Sequence, residues 1–115
     1  MIKLKRIYEP PSEDDGKRIF VERLWPRGIK KEKADIHLWL KDIAPSHELR
    51  RWFSHDPEKF EEFRKRYMKE LEERRDLLFE LVKYAKNGTL TLLYSTKNER
   101  YNSAVVLKEV LEWMM

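Results

Sequence analysis

The most restrictive feature of the chain is a long apolar phase that starts at Asp56-Pro57-Glu58. Asp56 can cap free helix amides, Pro57 suits the first helical position, and Glu58 meets the positive end of the dipole. Phe60, Phe63, Tyr67, Leu71, Leu78, Val82 and Ala85 then keep one helical face, interrupted at Arg74 and Arg75, until Asn87-Gly88 ends the pattern. An unbroken helix over 57–87 would be about 45 Å long at roughly 1.5 Å per residue. A compact domain of this size has a radius of gyration of about 13 Å and a diameter of roughly 35 Å. The segment must therefore bend or break near Arg74, or project and use Leu78, Phe79 and Val82 in assembly, because exposed apolar surface marks interfaces. A homo-oligomer through 57–87 is one expected outcome.

The rest of the pattern predicts a small α/β domain, a sheet of at least three strands, mostly parallel or mixed, with helices packed on it. Period-two patterning places strands at about residues 2–8, 18–24 and 89–95. Leu90, Leu92 and Leu93 make the last one apolar on both sides, as a central buried strand requires. Only the turn-rich stretch Glu9–Gly16 joins the first two, with Ser12 able to cap one helical turn. That is short for a parallel crossover, so these strands are antiparallel, or parallel and not adjacent. Ile36, Trp39, Leu40 and Ile43 predict an amphipathic helix with Asp35 near its start and Pro45 after its end. Ser46 is the expected N-cap of a short helix carrying Leu49, Trp52 and Phe53, and a final helix is predicted from about Tyr101.

At 115 residues the chain is a single domain, 1–115. It has no cysteine, which excludes disulfides, thiolate nucleophiles and cysteine-based zinc sites. The absence of glutamine beside abundant Lys, Arg and Glu resembles a thermophile-like composition. The net charge of +4 leans toward anionic partners, but neither half is a basic tail. With no apolar run long enough to span a membrane, the chain reads as soluble and cytoplasmic, with no membrane partner.

The second strand runs into Val21-Glu22-Arg23-Leu24-Trp25-Pro26-Arg27-Gly28, where Pro26 is expected to stop the ladder. Two guanidiniums near a strand end can converge on one phosphate or carboxylate. Equally, Arg23 can pair with a carboxylate at the core edge while Arg27 is solvated. Ser95, Thr96 and Lys97 follow the last strand, a recurrent ligand position in open α/β sheets. The glycine-rich nucleotide-binding motifs are absent. The expected function is binding of a small anionic ligand at the strand C-terminal ends through Arg23, Arg27, Lys41, Arg50, Tyr94 and Lys97. His55 is the candidate proton-transfer group if chemistry occurs there, and no metal or cofactor is implied. A nucleic-acid binder using Lys30, Lys31, Lys33, Arg50 and Arg51 is the competing class, and a non-catalytic structural or interaction module is a third.

The succession 21–28, then Trp39-Leu40-Lys41-Asp42-Ile43-Ala44-Pro45-Ser46, Leu49-Arg50-Arg51-Trp52-Phe53, His55-Asp56-Pro57, Thr91-Leu92-Leu93-Tyr94 and Asn102 resembles the DUF488 family, YeaO-like branch, over essentially the whole chain. The resemblance implies a small α/β domain. The family is named for having no assigned function, so no catalytic residue is carried over. Broader relatives end the final strand in a cysteine and carry a Cys-His pair in the next loop. Here Tyr94 and the Tyr101-Asn102 region stand there, so the resemblance implies no thiol or histidine chemistry for this chain.

Overall fold

A computed structural model describes residues 1–115. Strands β1 (Ile2–Arg6), β2 (Lys17–Phe20), β3 (Leu38–Trp39) and β4 (Leu90–Tyr94) form one sheet in the order β1-β4-β2-β3. Every pairing is parallel, so all strands end at the same edge. β4 lies between β1 and β2 and is buried along its whole length. The first two strands are therefore parallel and not adjacent, one of the two arrangements the short connection allows.

Helices α1 (His47–Phe53), α2 (Phe60–Leu71), α3 (Arg75–Lys86) and α4 (Ser103–Met114) all contribute to one large core with Ile19, Val21, Leu90 and Leu92. The opposite sheet face, Ile7, Phe20 and Leu93, is covered by Trp25, Ile29 and Ile36 of the β2–β3 connection and by Trp39 of β3. Strand alternation explains the division, since neighbouring residues point to opposite faces. Burying each such large side chain contributes roughly 1.5–3 kcal/mol.

The 57–87 segment breaks at Arg74, between α2 and α3. Arg74 leaves the helical conformation at φ −121° and ψ 35°, and its guanidinium donates to the Asp42 carbonyl. The break folds Leu78 and Val82 into the core and leaves Phe79 exposed, so the excess length is removed within one chain. Asp56 caps as expected, with its carboxylate accepting from the Glu58 amide at 3.0 Å, although the first turn is a 3-10 turn.

The amphipathic helix expected over 36–43 does not form. Leu38 and Trp39 extend the sheet edge instead, with the His37 amide donating to the Arg18 carbonyl at 2.7 Å and the Leu40 amide to the Phe20 carbonyl at 2.8 Å. A segment this short gains little from helix nucleation. Its apolar residues also face both ways, Ile36 and Trp39 to the smaller core and Leu38, Leu40 and Ile43 to the larger. Asp35, expected at a helix start, is left-handed at φ 51°, and its carbonyl accepts from Arg18 Nε at 2.8 Å.

The strands are shorter than expected. β2 ends at Phe20, well before Pro26; the Val21 amide still donates to the Leu93 carbonyl at 3.2 Å, after which Glu22 and Arg23 bind Ser95 and Pro45. The last helix begins at Ser103 rather than Tyr101, with Asn102 as its cap.

Candidate functional site

The shared carboxyl edge of the sheet opens into a cavity of about 840 Å³. Its walls come from the ends of β1 and β2, the turn at 23–27, helix α1 and the loop between β4 and α4. Arg6, at the end of β1, donates from Nε to the Thr96 carbonyl and from Nη2 to the Ser95 carbonyl, each at 3.0 Å. From the other side Glu22 accepts the Ser95 amide at 2.8 Å and the Ser95 hydroxyl. The strands flanking β4 thus clamp the loop that leaves it. Asn102 completes the loop, donating to the Asn98 carbonyl at 2.8 Å and accepting the Val105 amide at 3.0 Å as the cap of α4.

Arg23 binds neither a carboxylate nor open solvent. Its Nη2 donates to the Ala44 carbonyl at 3.1 Å and its Nε to the Pro45 carbonyl at 3.3 Å, which holds the chain entering α1 against the end of β2. Arg27 is exposed on the turn, and its carbonyl accepts from the Tyr8 hydroxyl at 3.0 Å. Arg50 reaches the cavity from α1 and Lys97 from the loop after β4. His55 lies on the rim, where Ser54 and His55 are successive left-handed residues at φ 46° and 58°. Such conformations cost of order 1–3 kcal/mol each and concentrate at functional sites.

Arg23, Arg27, Arg50, His55 and Lys97 therefore line one cavity, although they are scattered in sequence. Two other candidates do not join them. Lys41 sits over the Trp39 ring, 5.2 Å from its centroid, and outside the cavity lining. Tyr94 is buried in the core, and burial, followed by Glu99 and Glu9, pushes its phenol above the usual value against the opposing Arg6. It is neutral at ordinary pH. The residues missed from the sequence are Arg6 and Glu22. A charged residue closing a strand was the available signal, but only the parallel pairing of Arg6 with Tyr94 puts it at the same edge as Ser95.

The electrostatics are lopsided. Arg6, Arg23, Arg27, Arg50 and Lys97 face a cavity whose one carboxylate, Glu22, is already engaged by Ser95. None of these cations belongs to an ion pair; the ion pairs of the molecule lie elsewhere, at Asp15 and on α2. No group of His, Cys, Asp or Glu side chains has the arrangement of a metal site. Of the basic residues grouped above for nucleic acid, only Arg50 reaches this cavity, while Lys31 packs over the Trp39 ring at 5.0 Å from its centroid.

Fold and cavity together define a small parallel α/β domain with its helices on one sheet face and a cationic cleft at the carboxyl ends of its strands. The chain belongs to the DUF488 family, matching over residues 1–115 the family model described as "Inactive DUF488-N3 subclade". It is 44% identical over 110 residues to the uncharacterized protein YeaO of Escherichia coli (strain K12), covering 96% of each chain. It is 40% identical over 110 residues to the uncharacterized protein Rv3073c of Mycobacterium tuberculosis (strain ATCC 25618 / H37Rv), covering 96% of this chain and 92% of the relative. No solved structure matches the chain. No helix is long and apolar enough to cross a membrane.

Proposed function

We propose that the protein binds a small anionic ligand, bearing phosphate or carboxylate, in the cleft at the carboxyl ends of its strands, without transforming it. The observation that carries this reading is the set of five cationic side chains around one cavity with no ion-pair partner among them. Like charges gathered in this way repel in the empty protein, and an anion relieves that repulsion. The family description, which names the subclade inactive, accords with binding rather than chemistry. The hydroxyl nearest a base, Ser95, donates to a carboxylate that also takes the Ser95 amide, an arrangement that fixes a loop. His55 forms no hydrogen bond that would orient it as a proton carrier. A cytoplasmic setting is part of the proposal.

Thermal melts in phosphate and in chloride at matched ionic strength test the reading, because a ligand bound only by the folded state raises the melting temperature with its concentration. Phosphate should raise it in the parent protein, and Arg50→Met should remove the rise. Equal melts in the two salts would overturn the proposal.

A further inference from the structure

We infer that the ligand of this cleft is an organic dianion, its two charged groups held apart by an apolar skeleton; the inference rests on the anion-binding reading above. The five cations divide into two kinds. Arg6 and Arg23 spend donors on backbone carbonyls and hold the walls. Arg27, Arg50 and Lys97 have neither a side-chain hydrogen bond nor a carboxylate within ion-pair distance, so their charges remain available.

These three come from separate segments: the turn after β2, helix α1 and the loop after β4. The cavity they share, about 840 Å³, lies in the range of small-molecule pockets, roughly 300–1,000 Å³. One phosphate is only a few times the size of a water molecule, whose share of liquid volume is about 30 Å³. It would leave most of that space unfilled. The lining also includes Leu24, Pro45 and Phe53, and Leu24 is 62% exposed. Apolar surface open to a cationic cleft favours a ligand with carbon to lay against it. Glu22 adds a constraint of another kind. By taking the Ser95 amide, it occupies one strand-end donor that an anion could otherwise use, which leaves more of the charged contacts to side chains.

Calorimetric titration with inorganic phosphate, pyrophosphate and butane-1,4-bisphosphonate at matched ionic strength tests this. Two tethered anionic groups gain from intramolecular engagement of the second, so the bisphosphonate should bind at least about tenfold more tightly than phosphate. It should also exceed pyrophosphate, which carries the charge without the skeleton. Arg27→Met and Lys97→Met, both at exposed side chains without partners, should bring the bisphosphonate back toward phosphate. Equal affinity for phosphate and bisphosphonate would overturn the dianion while leaving the anion site standing. Tightest binding of pyrophosphate would replace it with a compact polyanion. If none of the three binds, the anion site falls and the dianion falls with it.

Discussion

Asp15 is fully buried and faces Lys5 at 3.0 Å, Lys3 at 3.4 Å and Arg18 at 2.6 Å. Burial by itself would raise its carboxyl. The Ser12 amide, Lys5 and Arg18 more than offset that and hold it well below the usual carboxylate range. A folded-state value below the unfolded one contributes stability that is present above about pH 4 and is lost as pH falls toward the folded value. Asp15→Asn should cost about 3–5 kcal/mol at neutral pH, because Arg18 is left uncompensated in the interior. Melts followed from about pH 6 down to pH 2 should show a larger acid-induced loss in the parent than in the variant, which keeps the lowered Glu109 carboxyl; parallel curves would count against the assignment. Arg23 and Arg27 make a second comparison at this scale. Arg23→Met removes two carbonyl contacts and should cost about 1–3 kcal/mol in urea unfolding, whereas exposed Arg27→Met should stay within about 0.5 kcal/mol. The reverse order would mean that Arg23 does not hold the wall.

The entry into β2 depends on close backbone approach to β4. Gly16 is left-handed at φ 61°, and a Cβ there would lie 2.2 Å from the Thr89 carbonyl oxygen. The Thr91 hydroxyl donates to the Asp15 carbonyl at 2.6 Å and the Lys17 amide to the Thr89 carbonyl at 2.9 Å, so the turn and the central strand are joined twice. Gly16→Ala costs about 1–3 kcal/mol for the positive-φ backbone alone, and the clash with β4 adds to that because backbone must move. Urea denaturation should therefore show a loss exceeding the conformational cost; a loss within about 0.5 kcal/mol would show that the strands tolerate separation. Helix α4 is coupled to the same strand by its cap, since Asn102 ties the loop 95–102 to the first turn.

At the scale of the whole molecule, the radius of gyration is 13.4 Å with extents of 35 × 33 × 21 Å, the compactness expected of one domain. Within the net charge of +4, five cations and a single carboxylate line the cavity at the carboxyl edge of the sheet. That distribution separates the two binding classes. A duplex binder contacting several phosphates loses roughly a thousandfold or more in affinity between about 50 and 200 mM salt. An anion held in the cleft should lose far less, since it releases few condensed counterions. Filter binding of duplex DNA beside calorimetry of the small anion across that salt range checks this, and tight, steeply salt-dependent DNA binding would favour the nucleic-acid class.

The amino-acid sequence by itself determined the caps at Ser12, Ser46 and Asp56, the apolar strand at 90–94 and the interruption at Arg74, because each is written within a few neighbouring residues. It also marked the strand-end arginines and the loop after β4 as places where an anion can be met. Only the tertiary structure decided that Leu38-Trp39 is an edge strand, since its hydrogen-bond partners lie at 18–20 and short apolar runs fit either period. The same holds for Arg6 and Glu22 closing on Ser95. Their roles arise from parallel pairing across β4, where contacts span most of the chain and leave no local period to read.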